Sequence, residues 1–251
     1  MKRGAVALVA VLAAAVVLSI AVTIGDDDPP PPPADQTGPT TTGGGAGADG
    51  PTPTCTRIVG YSQTRQWYLA SFESVVPDER FELFWMGGAA IRSWAGAAAW
   101  DSGTLESACA TGPPTRLVID VGVGGENLGD VEAYASFIRD AVAMARARFP
   151  GVQIGLQPLV GGPRYAPCTI VHRGALEPVN ASVAAPAVAQ AIDLVVEEDP
   201  AIFRGPNPML ASCDMYRDAL GHLTTSTRDD STSGDVHAGG VIGAFYAGAE
   251  S

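Results

Sequence analysis

Lysine is almost missing from this chain: among its 251 residues it occurs once, as Lys2. Histidine is scarce, with three residues, and cysteine stops at four. Each shortage closes off a class of function. Of 27 acids and 15 bases, five acids (Asp26, Asp27, Asp28, Asp35, Asp49) and two bases (Lys2, Arg3) lie within residues 1–54. That leaves 22 acids facing 13 arginines in the remainder, with a formal charge of −12 over the whole chain. No basic stripe tracks along such a sequence, which argues against nucleic acid as a partner. The cysteines (Cys55, Cys109, Cys168, Cys213) are far apart, so none of them forms the close ligand pair of a zinc site. Neither a metal nor an organic cofactor is called for.

Charge is also absent from residues 4–25, directly after Met1-Lys2-Arg3. That stretch is about as long as a membrane-crossing helix. It reads as an uncleaved N-terminal anchor or as a signal peptide with a weak cleavage site near Ser19-Ile20-Ala21. Under either reading the basic N-terminus stays inside and the remainder is exported. Residues 26–54 carry a five-proline run, a threonine triplet and Gly43-Gly44-Gly45, too little apolar surface to repay chain ordering. They form a spacer, stiff in its proline run and flexible after it. Residues 55–251 remain as one domain.

Within that domain, strand-like and helix-like segments alternate. Apolar runs at 57–60, 81–86, 116–123 and 152–158 predict four strands, and 201–203 a short fifth. Residues 65–75 are helix-compatible. Residues 131–149 place apolar side chains at 131, 135, 138, 142, 145 and 149, with Asp130 as cap and Pro150-Gly151 as terminator. Residues 180–198 predict another helix, interrupted or bent near Pro186, and 209–220 a further one. Alternation with continuous apolar strands implies an α/β fold with a parallel sheet covered on both faces. Ligands then bind at the carboxyl ends of the strands. Outside the cell, four cysteines favour two disulfides. Cys55 precedes the first strand and Cys109 precedes the third, while Cys168 and Cys213 follow later ones, so the expected pairs are 55–109 and 168–213.

Ser62 closes the run Arg57-Ile58-Val59-Gly60-Tyr61-Ser62, at a strand end that faces a helix start. Backbone N–H groups and the helix dipole favour developing negative charge there. Acyl transfer needs a nucleophile, a base, an acid that orients the base, and oxyanion donors. Ser62 fits the first role. His237 and Asp235, in Asp235-Val236-His237, fit the second and third, with Asp229 or Asp230 as substitutes for the acid. Gly87 or Gly88, after the second strand, brings an N–H close because no side chain intervenes. Asn127, after the third strand, adds a side-chain N–H. The other histidines lack such context: His172 sits in a loop after the fourth strand, and His222 follows a helix at Gly221.

The ordered set Gly60-Tyr61-Ser62-Gln63, Gly87-Gly88-Ala89-Ala90-Ile91-Arg92-Ser93-Trp94, Gly124-Gly125-Glu126-Asn127 and Asp235-Val236-His237 resembles the SGNH (GDSL-type) hydrolase superfamily. The second and third blocks look most like the sialate O-acetylesterase-like carbohydrate esterases. Those carry Gly-Gly-Thr-x-Ile-x-x-Trp and Gln-Gly-Glu-x-Asp/Asn runs. The resemblance spans residue 57 to about 247. It implies a three-layer α/β/α sandwich with a flavodoxin-like sheet of about five strands, and an exported esterase acting on small-molecule or saccharide esters, O-acetyl groups among them. This chain departs from the pattern in four places. Tyr61 stands in the Gly-Asp-Ser aspartate position, Gly124 replaces the glutamine and Leu128 the acid or amide. Gly234 occupies the place three residues before His237 that usually holds the aspartate.

Two other functions fit parts of the pattern. Gly-Tyr-Ser-Gln also opens a cutinase-like Gly-x-Ser-x-Gly elbow, but Thr64 replaces its last glycine and that elbow follows several strands. The shifted aspartate also fits a non-catalytic polysaccharide-binding module on a hydrolase fold. Local alternatives exist too. Ser62 or Asn127 can serve as helix caps, and Asn180-Ala181-Ser182 spells a glycosylation acceptor as well as a cap. Trp85, Trp94 and Trp100 can floor a sugar site, although core packing is the commoner use.

Overall fold

A computed structural model of the chain describes residues 54–76, 78–110, 112–124, 129–172, 174–225 and 233–248. The expected anchor or signal segment and nearly all of the spacer lie outside them, as do Asn127, Asp229 and Asp230. Among the described residues no helix is long and apolar enough to cross a membrane.

Strand β1 (Thr56–Gly60) leads into helix α1 (Ser62–Trp67), which continues as a π-helical turn (Tyr68–Phe72) and the short α2 (Glu73–Val75). Then come β2 (Phe81–Trp85), α3 (Ile91–Trp94), α4 (Ala97–Ser102), β3 (Thr104–Leu105) and β4 (Arg116–Asp120). Helix α5 (Val131–Arg148) and β5 (Gln153–Gln157) follow, then a hairpin of β6 (Thr169–His172) and β7 (Ala175–Pro178). The chain ends with α6 (Asn180–Glu198), β8 (Ile202–Arg204) and α7 (Gly234–Gly248).

The main sheet has six strands in the order β3-β2-β1-β4-β5-β8. Five are parallel, and the two-residue β3 adds an antiparallel edge beside β2. Taken alone, the parallel five follow the 2-1-3-4-5 order of flavodoxin-like sheets. All five residues of β4 are buried, as expected of a central strand covered on both faces. Helices α1 and α7 pack together, and α5 packs with α3 and α6, which gives a layer on each side of the sheet. The α1 layer is rich in rings: Trp67, Phe72, Phe81 and Tyr246 meet at centroid separations of 5.3–6.4 Å. On the other side Trp94 and Trp100 pack edge-to-face and are buried with Phe84, so these two tryptophans are core.

Most element bounds match the sequence expectation within a residue or two, and the Asp130 side chain accepts from Ala133 N–H as the α5 cap. Both expected disulfides, Cys55–Cys109 and Cys168–Cys213, are formed, and no cysteine is free. That pattern fits an oxidising compartment. Cys55 and Cys109 also lie beside Glu82 at ligand-like spacing, but both sulfurs are committed to the bridge.

The expected helix over 209–220 does not exist. Met209 bridges to Gly161, Cys213–Met215 make one 3-10 turn, and Asp218 bends the chain sharply. The Asp218 carboxylate takes the N–H groups of Leu220 and His222, which competes directly with helical bonding. Disulfide tethering at Cys213 acts in the same direction.

Candidate active site

The chain reverses its sheet direction beside β1, with β2 on one side and β4 on the other, and a crevice opens at the carboxyl ends of β1 and β4. Ser62 sits there as the first residue of α1. It does not cap the helix. Tyr61 holds the cap position, and its N–H donates to Thr64 Oγ1 at 2.9 Å. Thr64 Oγ1 in turn donates to Asp120 Oδ2 at 2.6 Å, at the end of β4. Trp67 Nε1 donates to the same oxygen at 3.3 Å. The helix carrying the serine is thus bolted to the neighbouring strand. Gly122 allows the close approach, because a Cβ there would lie 2.6 Å from Tyr61 Cδ1.

With Oγ freed from capping, Ser62 meets His222 Nε2 at 2.9 Å. His222 Nδ1 lies 2.8 Å from Asp218 Oδ2. Burial pulls the Asp218 pKa up. Hydrogen bonds from the His222 ring and backbone, with the charges of His222 and Arg217, outweigh that and hold it below the ordinary aspartate value. An ionised Asp218 accepts only, so Nδ1 carries a proton, which leaves Nε2 as the ring nitrogen that faces the Ser62 hydroxyl. A serine, an imidazole and a carboxylate are therefore joined in one hydrogen-bonded chain, from residues 160 positions apart.

His237 and Asp235 are not part of it. His237 is half-buried, and its Nε2 contacts Met209 O at 3.0 Å. Asp235 is buried in the first turn of α7, where Oδ1 accepts from Ser233 Oγ and from Val236 N–H. It works as helix-end chemistry. The structure brings neither residue to Ser62; the imidazole and the carboxylate that stand there are His222 and Asp218. The signal was in the sequence as Asp218-Ala219-Leu220-Gly221-His222, masked by the supposed helix over 209–220.

A cavity of about 440 Å³ opens over Ser62 and His222, lined also by Gly88, Arg92, Val123, Gly124, Asn180 and Leu220. Of the two glycines expected as oxyanion donors, Gly88 lines this cavity, with a left-handed φ of 72°. Gly87 stands outside the lining and packs near Trp85. Asn180 is the first residue of α6, and its N–H donates to Ala219 O, tying that helix to the loop bearing Asp218 and His222.

No family model matches the chain, and no curated protein matches it. Among solved structures it is similar to an acetyl xylan esterase (Est2A) from the rumen bacterium Butyrivibrio proteoclasticus. The two share 12% identity with a TM-score of 0.36, over 62% of this chain and 56% of that one. The likeness spans little more than half of that esterase's length.

Proposed function

We propose that the protein is an exported serine esterase that hydrolyses carboxylic esters through Ser62, His222 and Asp218. The observation that carries this reading is the continuous hydrogen-bonded chain from Ser62 Oγ through the imidazole to Asp218, opening on a cavity. His222 Nε2 takes the hydroxyl proton while Oγ bonds to the ester carbonyl carbon. The carbonyl oxygen becomes an oxyanion held by the Ser62 and Gly88 N–H groups, and the sequence resemblance adds Asn127, which lies outside the described residues, as a further donor. Collapse breaks the bond to the alcohol oxygen, which leaves with the proton from Nε2. Water, deprotonated by Nε2, then attacks the acyl-enzyme, and the acid departs as Oγ regains its proton. Asp218 holds the ring in the Nδ1–H tautomer and steadies the imidazolium. O-acetyl groups on saccharides are the substrate class, a choice that rests on the sequence resemblance. The two disulfides support export.

The full chain is expected to hydrolyse a short activated acetate ester with an initial burst of alcohol. Equal rates for wild type and Ser62→Ala would rule the reading out and favour a binding module.

A further inference from the structure

Helix α1 and the loop around His222 meet in a register that hydrolysis itself leaves unexplained. Three consecutive loop residues each receive one side chain from α1. Gln63 Nε2 donates to Gly221 O at 2.6 Å, Ser62 Oγ meets His222 Nε2 at 2.9 Å, and Gln66 Oε1 accepts from Leu223 N–H at 3.1 Å. Gln66 Nε2 also approaches Leu223 O at 3.5 Å. Positions 62 and 66 are i,i+4 neighbours and 63 and 66 are i,i+3 neighbours, so one helix face carries all three.

The upper clamp has a defined orientation. Tyr61 OH donates to Gln63 Oε1 at 2.9 Å, which turns Nε2 toward Gly221. Burial first, and then the charge of Asp120, push the Tyr61 pKa well above its usual value, so the phenol stays a donor. Gln63 is 1% exposed, so water does not compete for these bonds. Gly221 has a φ of 97°, and a Cβ there would lie 2.3 Å from Ala181 Cβ. That residue has no side chain to anchor, and its carbonyl is what the fold can grip.

We infer that Gln63 and Gln66 are positioning residues that fix the backbone on both sides of His222, so that Nε2 stays within reach of Ser62 Oγ. This rests on the esterase reading of the Ser62–His222 pair. Asp218 sets the rotation of the ring, and the two glutamines set where the ring stands. A displacement of about 1 Å in such a pair costs on the order of 100-fold in rate.

The test uses full-length Gln63→Leu and Gln66→Met in ester hydrolysis. Each is expected to lower kcat by roughly 10- to 100-fold; in Gln66→Met, whose residue is outside the cavity lining that Gln63 joins, KM stays within about threefold, because that clamp aligns the base without touching substrate. The second readout needs no substrate: the downfield proton resonance of His222 Nδ1–H, assigned by its loss in His222→Ala. It is expected to be sharp in wild type and broadened in both variants. Gln66 is less buried than Gln63, so Gln66→Met keeps the test readable where Gln63→Leu does not fold. Unchanged kcat and a sharp resonance in folded Gln66→Met overturn the inference. Should wild type hydrolyse no ester, the resonance alone decides. Its broadening then supports the positioning role and leaves the esterase reading as the one that failed, while its persistence overturns the inference.

Discussion

Replacing His222 with alanine is expected to lower kcat/KM on an activated acetate ester by roughly 10⁵- to 10⁶-fold, the scale seen when a triad histidine is removed. Replacing His237 is expected to leave it within about twofold, because its ring bonds to the Met209 carbonyl and not to Ser62. The contrast follows from where the two rings stand. His222 is the one whose Nε2 faces Ser62 Oγ at 2.9 Å with a carboxylate behind it at 2.8 Å. Without it the hydroxyl must lose its proton to water, and a free serine hydroxyl is a weak nucleophile. His237 Nε2 is spent on the Met209 carbonyl, away from Ser62. Steady-state kinetics on both variants, with circular dichroism to verify folding, is the check. Comparable losses in the two variants would contradict the assignment.

The second large effect concerns stability rather than rate. Asp120 is 1% exposed, and its Oδ1 is buried with no hydrogen-bond partner. Burial raises its pKa from 3.8 to about 7, against the opposing hydrogen bonds from Thr64 and Trp67. In the unfolded chain it ionises near its ordinary value of about 3.9. Between roughly pH 4 and pH 7 the folded state therefore holds a proton that the unfolded state has lost. Stability from this group is complete at low pH and declines as pH rises, levelling off above about 7. The shift corresponds to a change on the order of 4 kcal/mol. Asp120→Asn keeps an oxygen to accept from Thr64 and Trp67 and does not ionise. Urea unfolding of both proteins from pH 4 to pH 8 isolates the term, because every other carboxylate titrates in both. Wild type is expected to lose stability relative to Asp120→Asn up to about pH 7 and to level off above it. Parallel curves would contradict the account. Thr64 Oγ1 also receives the Tyr61 N–H, so the same carboxyl braces the turn that presents Ser62.

Local rules reach as far as single elements. The turn around Ser62 is legible because an apolar run, Gly60 and a helix start stand in sequence. Helix α5 is legible because Asp130 and Pro150-Gly151 mark both ends, and the parallel sheet because apolar runs alternate with helix-like segments. The place of His222 beside Ser62 is not legible in this way. Residues 209–220 contain enough apolar positions (Met209, Leu210, Met215, Tyr216, Leu220) to imitate a helix face. What decides against it is Asp218 taking two downstream N–H groups, with the Cys168–Cys213 bridge, a contact between chain segments 45 residues apart. Conversely, no helix is expected from the sequence over the terminal segment, yet Gly234–Gly248 fold as α7, with Asp235 accepting from Val236 N–H in its first turn. The Gln63 and Gln66 contacts are likewise matters of register between α1 and a loop more than 150 residues away. Nothing local encodes that register.

The central claim is that Ser62 is a nucleophile activated by His222. Exposing the full chain to a serine-directed fluorophosphonate, followed by peptide mapping, tests it directly. The account predicts a covalent adduct on Ser62 that is lost in His222→Ala and retained in His237→Ala. A folded chain that stays unlabelled, or a label at Ser62 that survives His222→Ala and disappears in His237→Ala, would contradict it.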